Sequence, residues 1–375
     1  MLKGIHLTLM IGPAVPIPVS KEVLDALTSV EVTINTQGPS GFQLSFNLST
    51  RSPLHTLFLL SGGNVIPLIR VIIIVTLNGT SEVLMDGVMT HHQITPDTGS
   101  GQVTLTITGE DLSRVMDYID FKGIPYPAMP AEARVAVIIA KYSFLGIIPM
   151  VIPSVLFEVP NPIDKIPLQE GTDLNYVKQL ADEVGYTFYV DPGPKPGMSI
   201  AYWGPEIKIG IPQPPLNVDM DAHTNVESLN FSFDTESKVQ PVVFIHSQAL
   251  KVSIPIPIPD ITPLNPPLGL VPPIPKHIYP LSGTAKLSPI QAALIGLAKA
   301  AKTADAVSAS GNLDVLRYGR VLKARQLISV RGAGTAFDGL YYVKSVTHNI
   351  KRGEFKQNFT LSRNGLVSTL SRVPV

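Results

Sequence analysis

The sequence predicts a mainly β chain with an α+β middle section, and three observations carry that reading. Residues near both ends alternate apolar and polar over short runs bounded by turn residues, as half-buried antiparallel strands do. The stretch from Leu168 to Pro205 reads differently, as helix, strand, proline-glycine turn and strand. The resulting order of β, α+β, β divides the chain into 1–118, 119–210 and 211–375. Two antiparallel β-barrels joined by an α+β domain are the architecture expected from that order.

The first section is read strand by strand. Val30, Val32 and Ile34 alternate, as do Phe42, Leu44, Phe46 and Leu48, with the hairpin-like loop Gln37–Gly41 between them. Leu68 to Leu77 is a β-branched run that contains Arg70 and is too short to span a bilayer, so it is expected as a buried strand. Asn78-Gly79 then signals a tight hairpin turn. The return strand passes Val83, Met85 and Val88, another strand holds Val103, Leu105 and Ile107, and Glu110 to Tyr118 closes the section as a short helix.

In the middle section Pro130 opens a helix that ends before Gly146. Thr172 is placed to cap a second helix, with Asp173 in its first turn. Leu174, Val177, Ala181 and Val184 form the apolar stripe of that helix, and Gly185 follows as its C-terminal stop. Tyr186 to Val190 and Met198 to Trp203 are strands around the loop Asp191–Gly197. This cassette holds the sole Trp, Trp203, and four of the eleven Tyr, yet no reactive constellation. Its aromatics Tyr186, Phe188, Tyr189, Tyr202 and Trp203 are expected to pack a core or an interface.

The last section returns to strands at Leu229–Phe233 and Val242–His246. Ten of the 35 prolines then crowd into Pro255–Pro280, within a proline-rich extended insert over 251–280. Disordered linkers are polar, whereas this segment interleaves Ile254, Ile256, Ile258, Leu264, Leu268, Leu270 and Ile274 with its prolines. It reads as a stiff apolar strap that crosses a domain or subunit boundary, and those seven residues are candidate interface positions. Ser288-Pro289 opens an Ala-rich helix expected over 288–307. Strands follow at Val321–Val330, Gly339–Ile350 and Phe355–Ser362, with Arg352-Gly353 turning the last pair.

Composition narrows the function. Only 15% of residues are charged against 45% hydrophobic, which points to surface hidden against partners. Net charge is zero, which argues against nucleic acid as a partner. The absence of cysteine excludes disulfide frameworks, thiolate metal sites and cysteine nucleophiles. No stretch reaches the length of a membrane span, so no direct membrane insertion is expected. The adjacent pair His91-His92 faces opposite sides of a strand and is ill placed to share a metal. Glu110 and Asp111 read as acids at a helix start, and Asp219 and Asp221 lack a glycine-centred calcium loop. Arg331–Thr335 lacks the Lys-Ser/Thr of a phosphate loop, and no G-x-S-x-G elbow is present. No catalytic residue, cofactor or metal is assigned, and the chain is not expected to be an enzyme.

Two segments carry a resemblance to a known family. GTDLNYVKQLADEVGYTFYV, with Leu174, Leu180, Gly185, Tyr186 and Tyr189, resembles the helix-to-aromatic-strand passage of contractile-tail baseplate hubs. Gly339 to Gly365 resembles the last hairpin of that family, with His348, Gly353 and Arg363 in its marked places. The family includes the phage late control protein D, the phage T4-type hub and the hub portion of the type VI secretion spike. GFQLSF at 41–46, TGEDLSRVMD at 108–117 and AYWGP at 201–205, which contains Trp203, resemble in particular hubs of extracellular contractile injection systems.

The resemblance implies a homotrimer whose subunits each carry two tube-like antiparallel barrels. Such a trimer would form a pseudo-sixfold adaptor between a hexameric inner tube and a trimeric spike. It implies contacts with other baseplate proteins, assembly in the cytoplasm of the producing cell, and incorporation into a phage tail-like particle, released or membrane-anchored. Because the sequence stops soon after Arg363, the spike is expected as a separate polypeptide. The alternative readings are a tube or other baseplate component, or a carbohydrate-binding or hydrolytic tail protein.

Overall fold

The computed structural model describes residues 4–13, 15–49, 68–96, 102–154, 159–160, 162–163, 166–247, 252–258, 266–281 and 289–369. The first section supplies β1 (Ile5–Gly12), β2 (Ile17–Pro18), β3 (Leu27–Asn35), β4 (Gly41–Ser49), β5 (Arg70–Leu77), β6 (Thr80–Pro96) and β7 (Gln102–Asp111). The middle section adds β8 (Ile147–Val151), β9 (Thr187–Pro192) and β10 (Ser199–Gly204). The last section supplies β11 (Gln213–Asn217), β12 (Ser228–Phe233), β13 (Val239–Ser247), β14 (Val252–Pro257), β15 (Gly269–Val271) and β16 (His277–Pro280). It continues with β17 (Val307–Asp314), β18 (Leu327–Arg331), β19 (Gly339–Lys351), β20 (Glu354–Arg363) and β21 (Leu366–Ser368). The chain is mainly β with a minority of helix, as the patterning predicts.

Thirteen strands form one sheet, in the order β12-β17-β20-β19-β3-β4-β7-β6-β5-β1-β2, with β18 on β19 and β11 on β18. The two β sections therefore meet directly. Opposite its β20 edge, β19 serves two further partners: Gly339–Tyr342 pair with β18, and Ser345–Lys351 pair with β3. One hydrophobic core runs through both sections, with Val32, Leu44 and Ile107 from the first and Leu313, Tyr341 and Phe359 from the last. The Asn78-Gly79 turn has φ of 50° and 82°, the left-handed pair that a two-residue hairpin requires.

The middle section packs β8, β10 and β9, in that order, against helices Ala131–Ala140 and Asp173–Val184. Its core also takes Val88, Leu112 and Met116 from the first section. The proline-rich strap is ordered where it is described. β14 and β16 flank β13 in a small sheet, and β15 pairs with β21.

Some elements differ from expectation. Glu110 to Tyr118 forms a 3-10 helix, Leu112–Asp117, preceded by the end of β7. The Ala-rich helix runs Pro289–Lys302, and Val307, expected at its end, opens β17 instead. Ladder bonds to β12 and β20 outweigh local helix propensity there. Val321–Gln326 is irregular, and the strand begins only at Leu327. Arg325 carries φ of 62° at that break.

Candidate assembly surfaces and inter-section junctions

The cassette is a capped helix on an aromatic hairpin. Thr172 Oγ1 accepts from the Asn175 backbone N–H at 3.3 Å, and Gly185 ends the helix at φ 72°. Leu174, Leu180 and Trp203 are buried, and Trp203 Nε1 donates to the Val177 carbonyl at 3.3 Å. Tyr186 meets Trp203 edge-on at 4.9 Å, whereas Tyr189 stacks on Tyr202 at 4.9 Å. Both aromatic pairs thus stabilise the hairpin on opposite sides of its strands.

Three ionic junctions tie this cassette and its flanks to the large sheet. In the first, Arg70 Nε and Nη2 each donate to the Asp86 carboxylate at 2.7 Å. Asp86 also accepts from Ser199 Oγ at 3.2 Å, and Arg70 Nη2 reaches the Gly197 carbonyl at 3.2 Å. The arginine in an otherwise apolar strand therefore clamps β5 and β6 to the loop and strand of the cassette.

In the second junction Arg325 donates to the Asp191 carboxylate and to the Asn35 carbonyl, with its guanidinium 4.0 Å above the Tyr189 ring. One side chain of the last section thereby touches the first and the middle sections together. In the third, Lys208 and Lys344 flank Asp305 at 3.0 and 2.9 Å, and Ser362 Oγ donates to it at 2.8 Å. Burial works to raise the Asp305 pKa, but the two ammonium groups prevail and hold it down to about 2.

In the C-terminal hairpin His348 and Arg363 are buried and Gly353 lies at the turn. His348 is buried and held below its ordinary value, to about 3, by burial. Gln357 Oε1 accepts from the Leu322 N–H and its Nε2 donates to the Leu322 carbonyl, both at 2.9 Å, which fixes the amide orientation. The same Nε2 lies 3.1 Å from His348 Nδ1, so the neutral ring accepts there. Arg363 is fully buried and donates to the Asp338 and Ala336 carbonyls at 2.9 and 2.8 Å, with Tyr341 beneath it at 4.5 Å. Gly353 turns the hairpin at φ 85°.

Of the seven strap positions, Ile258 and Leu268 are buried within the chain, against Val243 and Ala292 and against Leu327 and Tyr342 respectively. Ile254, Ile256, Leu270 and Ile274 are exposed, Ile274 at 83%, and Leu264 lies outside the described residues. Val252, Val271, Ile278 and Tyr279 add to that exposed apolar surface.

The groups weighed for chemistry do not converge. Asp111 caps the 3-10 helix by accepting from Ser113 N–H at 2.9 Å, and also accepts from Ser40 N–H. His91 and His92 follow a bulge in β6, opposite Thr108 and Ile107. Asp219 and Asp221 sit in a turn at φ 47° and 50°. Arg331–Thr335 joins β18 to β19. Among the described residues no three His, Asp or Glu side chains gather as a metal site. No described helix is long and apolar enough to cross a membrane.

Arg325, Asp305 and Lys208 escape sequence reading. In Glu206–Ile211 the isoleucines would be taken as the inward face, yet Lys208 is buried and Ile207, Ile209 and Ile211 are exposed. The only signal was alternation, and it was inverted.

No family model matches the chain, and no curated protein matches it. Solved structures do. The tail protein from Neisseria meningitidis MC58 is 13% identical with a TM-score of 0.63, over 97% of this chain and 98% of that one. The 43 kDa tail protein of prophage MuSo2 from Shewanella oneidensis is 12% identical with a TM-score of 0.61, over 96% and 98%. A chain of the Francisella PdpA-VgrG complex is 10% identical with a TM-score of 0.61, over the whole of this chain and 55% of that one. The fold is that of these tail and VgrG-complex proteins.

Proposed function

We propose that this chain, built on the fold of phage tail and VgrG-complex proteins, is a structural baseplate hub of a contractile tail or injection system. In this reading 1–118 and 211–375 are two tube-like domains and 119–210 is the domain braced against them. Three copies then present six tube-like units, a homotrimeric adaptor between a hexameric inner tube and a trimeric spike. Other baseplate proteins surround it, and assembly takes place in the cytoplasm of the producing cell.

The observation that carries the reading is the continuity of the sheet through β3 and β19. Hydrogen bonds join the two β sections edge to edge, as subunits of a ring would be joined, while β12 and β2 end the sheet at its two extremities. Among the described residues no strand pairs with the outer edges of β12 and β2, and such edges favour heterologous contacts that close into a ring. The buried junctions at Arg70, Arg325 and Asp305 fit a part that moves as one rigid body. Its work is mechanical, and no residue is assigned to catalysis.

The test is the mass of the purified chain in solution, alone and with a candidate trimeric spike protein. A particle of three times the 40.4 kDa chain that binds the spike is expected. A stable monomer that never joins the spike would sink the reading.

A further inference from the structure

The strap is fastened to the C-terminal tail by a small set of contacts. β15 pairs with β21 through Gly269 with Ser368 and Val271 with Leu366. The Asn364 side chain completes the joint. Its Oδ1 accepts from the Leu268 and Gly269 N–H groups at 2.7 and 2.8 Å, and its Nδ2 donates to the Gly269 carbonyl at 3.2 Å. Thr369 donates to the Leu268 carbonyl through its N–H at 3.2 Å and its Oγ1 at 3.3 Å. The two backbones cross so closely that a Cβ on Gly269 would lie 2.2 Å from the Gly365 carbonyl oxygen. Apolar burial adds little. Leu268 enters a socket formed by Leu327, Leu340 and Tyr342, while Leu270 and Val271 are exposed. A joint made of hydrogen bonds over one buried side chain is the kind that opens locally in a folded protein.

Val367 sits within this joint at φ 58°. A β-branched residue is poorly suited to the left-handed region and keeps it only where the surroundings impose it. Its side chain is exposed, so packing does not impose it. The backbone contacts do. Leu366 and Ser368 on either side pair with β15, and the Val367 N–H donates to the Ala336 carbonyl at 3.0 Å, an acceptor shared with buried Arg363. Part of the strain is therefore maintained by β15 and is relieved when β15 leaves.

We propose that β15 on β21 is a latch, with Asn364 as its pin, that opens as one local unit while the rest of the chain stays folded. Opening withdraws Leu268 and bares both its apolar socket and the edge of β21 that β15 had covered. The hinge lies just beyond Val271. Pro273 is buried, Lys276 pairs with Glu236 at 3.2 Å and β16 is bonded to β13, so the strap remains anchored there. Pro272 and Pro273 fix φ and restrict the swing to a stiff arm. All of these contacts lie within one chain, so the latch works whether or not copies assemble.

Amide hydrogen exchange on the full-length chain is the test, with the β19–β20 amides as the internal reference for the folded core. In the native chain the Leu268, Gly269 and Thr369 amides should exchange at one common rate, at least about tenfold faster than that reference. Asn364→Ala removes the pin and should speed all three about tenfold, with the reference unchanged. Val367→Asn places a residue that tolerates the left-handed region and should slow all three about fivefold. Exchange of these amides only at the reference rate makes global unfolding their sole route and overturns the proposal. An Asn364→Ala variant that leaves Thr369 unchanged overturns it too, as does a Val367→Asn variant that exchanges as fast as the native chain. Should Asn364→Ala disturb the reference amides, the native chain and Val367→Asn decide between them.

Discussion

Removing the Asp86 carboxylate should be among the costliest single changes in this protein. Asp86 and Arg70 have side chains 0% and 4% exposed, and they meet through two 2.7 Å hydrogen bonds. In Asp86→Ala the buried guanidinium loses its carboxylate partner, a loss of about 3–5 kcal/mol. Arg70→Met strands the carboxylate, with Ser199 left as its nearest donor, and should cost a similar amount. The double variant R70M/D86L removes both charges and should lie within about 1–2 kcal/mol of the wild type.

The assay is urea unfolding followed by Trp203, the sole Trp, which lies in the core adjoining the pair. With a slope of about 2–3 kcal/mol per molar, each single variant shifts the midpoint by roughly 1–2.5 M. Far-UV circular dichroism tracks the sheet and checks that both probes report one transition. Two single variants that each cost less than about 1 kcal/mol, with additive effects in the double, would refute the reasoning. They would show the pair to be hydrated and the clamp on the cassette to be incidental.

Three further outcomes are expected. His348 is held to about 3 by burial, so between that value and its ordinary 6.5 the unfolded chain binds a proton that the folded chain refuses. Stability is full above pH 6.5 and falls as pH drops, by on the order of 2–3 kcal/mol at pH 4.5, and melting of His348→Gln should show a flatter dependence. Asp305 has the opposite charge type: held down to about 2, it contributes stability above pH 3.8 that is lost as pH falls through 2. Asp305→Asn at pH 7 should cost about 2–4 kcal/mol by leaving Lys208 and Lys344 together, and adding Lys208→Met should restore part of it. Among glycines, Gly146→Ala places a Cβ 2.1 Å from the Gly197 carbonyl at φ 74°, whereas Gly353→Ala meets nothing within 4 Å at φ 85°. Thermal melts should show a cost near 1 kcal/mol for the hairpin glycine and clearly more for Gly146.

The strands and the cassette were legible because their signals are local. Alternation in Phe42–Leu48 and Val103–Ile107, the Asn78-Gly79 turn, and the Thr172 and Gly185 caps all act within a few residues. Arg70 was visible as an anomaly in an apolar strand, but its partner Asp86 was not, because only the β5–β6 hairpin brings the two together. The junctions were the least legible. Arg325 is 290 residues from Asn35 and 134 from Asp191, and nothing in the letters pairs them. Lys208 was hidden by an alternation whose inward face is polar. The Ala-rich helix was read too long because Ala304 and Ala306 favour helix in isolation, while the ladder beginning at Val307 lies in other parts of the sequence.

The pairing of β3 with β19 also sets a timetable. Ser345 is 310 residues after its partner Asn35. At about 5–20 residues per second, the ribosome needs roughly 15–60 s to deliver the second strand after the first has emerged. Through that interval β3 can hold β4 on one side while its other edge stays open, an invitation to pair with a neighbouring nascent chain. Synthesis truncated before β19 should therefore yield a sticky half-molecule. The sheet's continuity, a source of stiffness once complete, makes completion of the chain the moment at which the protein becomes safe to accumulate.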